Sequence, residues 1–304
     1  MGSLSQNRGI FYMLIASFCF ALTGACARYL RNDINPIELV LFRNIIGVVF
    51  ILYSIRKTPV IQTGGKLYLL IFRGVIGTLA LYTFFYGISK IGLAIAITYQ
   101  QSYPVFLAVM AMWFFGERLR NMEWFAVLIG FAGICLIFLP SIDTSLLSVK
   151  HHFIGISNAV MTGMAYLSIR GLSEIYDQRS IILSFMLSGI ILPLVSLTIG
   201  SFWTVEGLDF MIDTFDKIHV SQIPVILLLG IAALFGQIYL TKAFSYQKTG
   251  IIAAVGYSNI VFSIVFGTLL GDAFPDVISM VGIGLIIVCG IMVSWTKRPA
   301  TVKS

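Results

Sequence analysis

Long apolar segments alternate with short polar stretches along the whole chain. Ten segments can be delimited, at about residues 9–30, 36–55, 67–88, 92–115, 122–140, 152–173, 180–203, 222–244, 250–271 and 276–296. Each holds about 20 residues, and a helix of that length spans about 30 Å, the thickness of a bilayer's hydrocarbon core. Inside lipid, a helix satisfies its own backbone hydrogen bonds. The pattern therefore predicts an all-α polytopic membrane protein with ten transmembrane helices.

Most charged residues lie in the short connections or at segment ends, and the basic ones predict an orientation. If the N-terminus is cytoplasmic, thirteen Lys and Arg residues fall on the inner side and five on the outer side. This asymmetry obeys the positive-inside rule, so we expect both termini in the cytoplasm. The net charge is +7, but the sequence contains no cluster of Lys and Arg with interleaved aromatic residues. We therefore expect membrane lipids as partners and no nucleic acid.

The composition excludes several other classes. Hydrophobic residues make up 58% of the chain and charged residues 11%, whereas a soluble domain has about 25% charged residues. The four cysteines lie inside apolar segments and form no CxxC motif, and His151 and His152 are adjacent, so no metal-ligand spacing is present. The sequence contains no recognisable nucleophile–base set. We expect no metal, no cofactor and no enzymatic activity.

The chain contains an internal repeat. Residues 86–117 and 243–272 share a turn, a glycine, a run of small residues, a tyrosine, an amide and a terminal Gly-acid pair. Two five-segment units, 9–140 and 152–296, are therefore predicted. Because five is odd, the second unit enters the membrane upside down, as in the inverted repeats of secondary transporters.

Four short motifs suggest a family. They are Phe72-Arg73-Gly74, Ser102-Tyr103-Pro104-Val105-Phe106, Gly116-Glu117-Arg118 and Ile169-Arg170-Gly171-Leu172. In this order, with ten segments and the repeat, the chain resembles the EamA family of the drug/metabolite transporter superfamily. The resemblance implies two inverted EamA repeats around a central cavity lined by segments one, three, four, six, eight and nine. It also implies transport of a small molecule such as an amino acid, nucleoside, nucleobase, riboflavin or S-adenosylmethionine across a bacterial inner membrane, by a monomer or homodimer.

One departure from the family concerns the ninth segment. Asn259-Ile260 stand where the second repeat of the family often has proline. The first repeat has Pro104 at the corresponding place, and proline removes a backbone donor and kinks a helix. The sequence therefore predicts a kink in segment four and offers no proline for a matching kink in segment nine.

Two arginines lie inside apolar segments. Arg73 is about 10 Å inside the inner end of the third segment, and Arg43 is about as deep in the second. A membrane-embedded arginine either binds a substrate anion, snorkels to the interface or bonds to a neighbouring helix. We keep both substrate binding and structure open for Arg73 and expect a structural role for Arg43. No Asp or Glu lies in the middle of any segment, so no coupling-ion residue is evident.

Other polar side chains follow helical spacing on the segments that the resemblance places around the cavity. With Arg73, the candidate substrate-binding residues are Tyr82, Tyr99, Gln101, Tyr103, Asn158, Thr162, Tyr166, Gln237, Thr241, Tyr257 and Asn259. Each has a structural alternative, either hydrogen bonding between helices or membership of the interfacial aromatic belt. Segments five and ten carry small residues and few polar ones, so we expect packing helices there.

Two further expectations concern the outer side and the function. Residues 207–218 place apolar side chains at helical spacing, which predicts an amphipathic helix on the outer surface, either a linker or a lid. The leading functional hypothesis is a carrier of small polar metabolites working by alternating access. A lipid or lipid-linked flippase is the alternative, because small relatives in the superfamily do such work.

Overall fold

The computed structural model describes residues 2–30, 33–90, 93–116, 120–138, 149–203, 210–215, 218–246, 249–270 and 277–295. Within these ranges the chain folds into twelve α-helices. They are α1 (Gly2–Leu30), α2 (Pro36–Lys57), α3 (Leu67–Lys90), α4 (Leu93–Gln100), α5 (Tyr103–Phe115), α6 (Asn121–Phe138), α7 (Val149–Leu172), α8 (Gln178–Gly200), α9 (Ile223–Tyr246), α10 (Thr249–Gly256), α11 (Ser258–Leu269) and α12 (Val277–Trp295).

The helices have the length and the surface of membrane spans. Among the described residues, six stretches are long and apolar enough to cross a membrane: Arg8–Leu30, Pro36–Lys57, Leu67–Lys90, Gln178–Gly200, Val220–Tyr246 and Ile251–Leu269. Large apolar side chains such as Val49, Trp113, Phe153 and Leu194 point outwards and are exposed. Soluble proteins rarely expose contiguous apolar surface on this scale, whereas lipid accepts it. The chain is an integral membrane protein.

Helices from the first half of the chain pack mainly on helices from the second half. α1 packs against α9 and α11, α2 against α8 and α9, α3 against α7 and α8, and α6 against α12. Between α6 and α12 the backbones approach closely at Gly133, where an added Cβ would lie 2.7 Å from the carbonyl oxygen of Gly282. Small residues allow such contact between helices in a membrane. The prediction that segments five and ten are packing helices is confirmed.

The fourth predicted segment, 92–115, is broken in its middle. It forms α4 and α5, with a turn at residues 101–102 between them. Pro104 lies in the first turn of α5 and has no N–H, so the ladder of hydrogen bonds cannot continue through this point. The kink that the proline predicts is present.

The ninth predicted segment, 250–271, is broken in the same way without a proline. It forms α10 and α11, which meet at Tyr257. The N–H of Tyr257 donates to the carbonyl oxygen of Ala254 at 3.3 Å, which is the tighter bond of a 3₁₀ turn rather than that of an α-helix. The two broken helices therefore place irregular backbone at matching points of the two halves, including the half where the sequence offers no proline.

The connection that follows α8 crosses the end of the bundle in an irregular course. Residues 210–211 form a turn and 212–215 have no regular secondary structure, so the amphipathic helix predicted over 207–218 is wrong for them. Residues 207–209 and 216–217 of that range lie outside the described residues. The ring of Phe210 packs on Tyr86, with centroids 5.9 Å apart. The carbonyl oxygen of Thr214 accepts a hydrogen bond from Asn35 Nδ2 at 2.6 Å. The carbonyl oxygen of Thr214 thus has a hydrogen-bond donor from a distant part of the chain, in place of the donor that a helix would supply.

At the opposite end of the bundle, Arg179 links the start of α8 to the end of α2. Its guanidinium donates to the carbonyl oxygens of Ser54 at 3.1 Å and Thr58 at 2.6 Å, and it forms an ion pair with Asp177 at 2.9 Å. The hydrogen bond from Arg179 lowers the pKa of the Asp177 carboxyl below its usual range. The carboxylate is therefore charged at neutral pH, and the pair holds two connections together.

Candidate functional site

A cavity of about 90 Å³ lies in the middle of the bundle, between the two halves of the chain. This volume is several times what one water molecule needs. Its wall comes from α1, α2, α3, α7, α8, α9 and both broken helices. The resemblance implied a lining from segments one, three, four, six, eight and nine. The structure adds α2, which contributes Arg43, and α8, which contributes Phe185.

One wall of the cavity is positively charged. Arg43 and Arg73 are 5% and 1% exposed, and both lie against the ring of Phe185. Their guanidinium carbons are 5.9 Å and 4.5 Å from its centroid, within the range of cation–π contacts. Within the part of the chain that the structure describes, Nε of Arg43 and both Nε and Nη1 of Arg73 have no hydrogen-bond partner. None of the described residues that line the cavity is acidic.

The broken helices supply a neutral polar wall. Gln101, at the break before α5, donates from Nε2 to the carbonyl oxygen of Gly256 at 3.4 Å, at the break after α10. Asn259, in the first turn of α11, donates from Nδ2 to the carbonyl oxygen of Ser17 on α1 at 2.9 Å. Gln100 and Ser263 line the same side. The side-chain oxygens of these amides and hydroxyls can accept hydrogen bonds from a polar solute.

Aromatic side chains close the cavity towards its predicted cytoplasmic end. The rings of Tyr103 and Tyr166 meet edge to face with centroids 5.0 Å apart, and Tyr166 packs on Phe244 at 5.4 Å. Phe244 is fully buried in an apolar cluster that fills this end of the bundle. Towards the other end, a narrow pocket of about 10 Å³ shares Gly24 and Ser263 with the cavity. The cavity is therefore sealed more thickly on one side than on the other.

The structure brings seven of the candidate binding residues to the cavity. They are Arg73, Gln101, Tyr103, Thr162, Tyr166, Gln237 and Asn259. They come from α3, both broken helices, α7 and α9, which are distant in sequence. Their position at the cavity agrees with the expectation for these seven residues, and their role in binding a substrate stays a prediction.

Five candidates lie outside the cavity and have other partners. Tyr82 Oη lies 3.1 Å from Ser196 Oγ on α8. Tyr257 Oη donates to the carbonyl oxygen of Val127 on α6 at 3.3 Å. Both side chains therefore reach across to a neighbouring helix, as the structural alternative expects. For these two tyrosines, the structure supports the alternative of a hydrogen bond between helices, and not contact with a substrate in the cavity.

The remaining three are Thr241, Asn158 and Tyr99. Thr241 Oγ1 donates to the carbonyl oxygen of Gln237 in its own helix at 2.8 Å. Asn158 Nδ2 donates to the carbonyl oxygen of Ala80 at 2.6 Å and to Thr83 Oγ1 at 3.1 Å, so it joins α7 to α3. Asn158 and Tyr99 line a separate small pocket of about 10 Å³. The expected contact between Asn158 and a substrate in the central cavity is not supported by this position.

Sequence reasoning missed the position of Arg43 and Phe185 in the cavity wall. We expected a structural role for Arg43, and the resemblance does not place its helix in the lining. Its depth, and the absence of an acidic residue inside any segment, are the signals that could have found it. Phe185 gives no such signal, because an apolar residue on an apolar helix looks the same whether it faces lipid or a cation.

Comparison with known proteins agrees with this architecture. An uncharacterized transporter of Helicobacter pylori is 32% identical, over 97% of this chain and 96% of its own length. A pseudopaline exporter of Pseudomonas aeruginosa is 29% identical, over 95% of this chain and 97% of its own. A crystal structure of a protein 16% identical superposes with a TM-score of 0.75 over 96% of this chain and 98% of that one, which supports the fold. The sequence model of the EamA-like transporter family matches residues 7–139. The chain belongs to the EamA-like transporter family.

Proposed function

We propose that this protein is a secondary transporter that moves a small organic metabolite across the bacterial cytoplasmic membrane by alternating access. The observation that carries the proposal is the central cavity between two halves, which has one cationic wall and one wall with side-chain amides, and is flanked by a broken helix from each half. In secondary transporters, substrates bind near the midplane where two repeats meet, and discontinuous helices form the site. Its relatives are named as transporters, which supports that functional class.

The proposal includes ten spans arranged as two inverted repeats, 9–140 and 152–296, with both termini cytoplasmic. The packing of the helices supports the two related repeats. If the second repeat is superposed on the first, α1 corresponds to α7 and α3 corresponds to α9. The packing of α1 on α9 is then equivalent to the packing of α7 on α3, and both are present. The contacts of α2 with α8 and of α6 with α12 map onto themselves. Pairing of this kind is expected when two copies are related by a twofold axis in the membrane plane.

Alternating access would require the aromatic cluster of Tyr103, Tyr166 and Phe244 to open. These three side chains separate the cavity from the predicted cytoplasmic end of the bundle. Tyr103 lies directly after the break in the fourth segment, so a change in the angle between α4 and α5 would move it relative to α7. Polar contacts to the substrate would then come from Gln101, Asn259 and their neighbours.

A lipid flippase is the second candidate because of one feature, a lateral apolar groove of about 350 Å³ between α3 and α7. It opens beside Phe153, which is exposed, and Phe210. The hydrogen bonds of Asn158 to Ala80 and Thr83 bridge α3 and α7 behind this groove, so a wall separates it from the central cavity. A soluble substrate in the cavity is therefore favoured over a lipid in the groove.

The test is an uptake experiment that identifies the substrate from a mixture. Proteoliposomes holding the purified protein are incubated with a bacterial metabolite extract, washed, and analysed by mass spectrometry for retained solutes. We expect one or a few small polar solutes in the proteoliposomes and not in protein-free vesicles. Scrambling of a labelled lipid between leaflets, with no solute retained, would support the flippase instead.

A further inference from the structure

Arg43 and Arg73 enter the cavity from opposite ends of the membrane. Arg73 lies in the second turn of α3, which begins at the predicted cytoplasmic end, and Arg43 lies in the second turn of α2, which begins at the other end. Each α-carbon is thus about 10 Å from its nearest membrane surface. Both guanidinium groups nevertheless reach the same ring, that of Phe185.

The two side chains turn away from water. A membrane arginine near a helix end normally snorkels towards the closer interface. Arg73 runs the other way, because its Nη1 lies over Gly77, one turn further into the membrane, and would collide with any Cβ there. Arg43 must also extend inwards to reach Phe185, which lies in the second turn of α8, near the opposite surface. The protein therefore holds two cations in its interior.

Among the described residues around the cavity, no carboxylate neutralises this pair. The 13 acidic residues of the sequence all lie at the ends of the apolar segments or in the connections. The contact with the Phe185 ring uses no N–H donor of either guanidinium in a hydrogen bond to a polar atom. Among the described residues, Nε of Arg43 and Nε and Nη1 of Arg73 have no hydrogen-bond partner. Buried cations without a counter-charge are strongly unfavourable, so a ligand is expected to supply one.

From this arrangement we infer that Arg43 and Arg73 form a binding site for a carboxylate group, and that the transported metabolite carries one. The inference rests on the proposed function and gives it a substrate class. The planar fork of an arginine matches a carboxylate through two parallel hydrogen bonds. The other wall of the cavity, with Gln100, Gln101 and Asn259, is neutral and polar. It suits the hydroxyl, amide or amino groups of the rest of a small molecule.

Thermal unfolding of the purified protein in detergent tests the site and does not require an identified substrate. The variants are Arg43→Met, Arg73→Met and a control, Arg8→Met, whose arginine is exposed near the start of α1. In a buffer free of carboxylate and chloride, we expect Arg43→Met and Arg73→Met to unfold at the wild-type temperature or above it, because an unpaired buried cation has been removed. A clear fall of the unfolding temperature in both would mean that the arginines are structural, and would overturn the inference.

The second measurement uses sodium acetate as the carboxylate probe and sodium chloride at equal concentration as the inorganic anion. Acetate is expected to raise the unfolding temperature of the wild type and of Arg8→Met more than chloride does. Arg43→Met and Arg73→Met should lose this difference, with apparent acetate affinity at least about tenfold weaker. Equal effects of acetate on wild type and variants, or equal effects of chloride and acetate on the wild type, would contradict a carboxylate site. Uptake of a neutral solute by the proteoliposomes would leave the proposed transporter standing and refute this inference alone.

Discussion

At the residue scale, the position of Arg73 depends on a glycine of its own helix. Gly77 leaves the space that the guanidinium occupies, and Phe185 covers the other side. A methyl group at residue 77 would meet both Nη1 of Arg73 and the Phe185 ring. One small residue therefore decides whether a long cationic side chain can lie along the cavity wall.

Replacing this glycine should impair transport more than folding. Gly77→Ala displaces the guanidinium, and we expect the apparent KM of the transported solute to rise about tenfold, equivalent to about 1.4 kcal/mol. Uptake in proteoliposomes measures it. The matched control is Gly284→Ala on α12, where an added Cβ meets nothing within 4 Å. Unchanged KM in Gly77→Ala, with the protein at normal abundance, would show that Arg73 does not need its observed position.

At the scale of helices and their connections, Arg179 joins the end of α2 to the start of α8 and forms an ion pair with Asp177, its neighbour at the α8 start. The pKa of Asp177 is lowered by its hydrogen bond with Arg179. A carboxyl whose folded pKa is depressed adds stability above its unfolded pKa of about 3.9, and that stability is lost as the pH falls through the folded value. An exposed ion pair contributes up to about 1 kcal/mol.

Because the pKa of Asp177 is lowered in the folded protein, the stability that its charge adds should be lost at low pH. Asp177→Asn should unfold at a temperature a few degrees below the wild type at pH 7, and the two should converge as the pH falls below about 4. Thermal unfolding in detergent across this pH range measures the difference. A gap between wild type and Asp177→Asn that stays constant down to the lowest pH would contradict an electrostatic origin.

At the scale of the whole molecule, the loop charges predict which end of the bundle is cytoplasmic. The structure provides exposed positions at both ends. Ile61, between α2 and α3, is 92% exposed, and Val220, before α9, is 82% exposed. In a cysteine-free background, cysteine at residue 220 should react with a membrane-impermeant maleimide in intact cells, and cysteine at residue 61 should react only after lysis. The reverse pattern would invert the orientation.

Much of the architecture could be predicted because membrane physics leaves few choices. Segment lengths predict the membrane helices, since lipid forces backbone groups to pair within each helix, and the ordered motifs with the repeat indicate the transporter family. The orientation drawn from loop charges stays a prediction. The break at Tyr257 could not be predicted, because without proline it depends on tertiary contacts such as that of its hydroxyl with Val127. The irregular course of residues 210–215 could not be predicted either, because it depends on a hydrogen bond from the distant Asn35 to the carbonyl oxygen of Thr214.

The site was predictable to the extent that polarity inside an apolar helix is conspicuous. Gln101 and Asn259 were found in this way and do line the cavity. Tyr82 and Asn158 were selected by the same criterion and instead pair with Ser196 and Ala80. Sequence cannot separate the two outcomes, because a polar group in a membrane needs a partner whether that partner is a helix or a solute.

Transport by cavity variants tests the central claim most directly. Gln101→Leu and Asn259→Leu remove polar groups from the two broken helices, while Thr198→Leu is a control on the outer face of α8, where the hydroxyl bonds only within its helix. Leucine is tolerated in lipid, so all three should insert normally. Uptake of the solute identified from the extract should fall at least about tenfold in the two cavity variants and stay near wild type in Thr198→Leu. Wild-type rates with unchanged apparent affinity in both cavity variants would contradict the account, because the solute would then cross the membrane elsewhere.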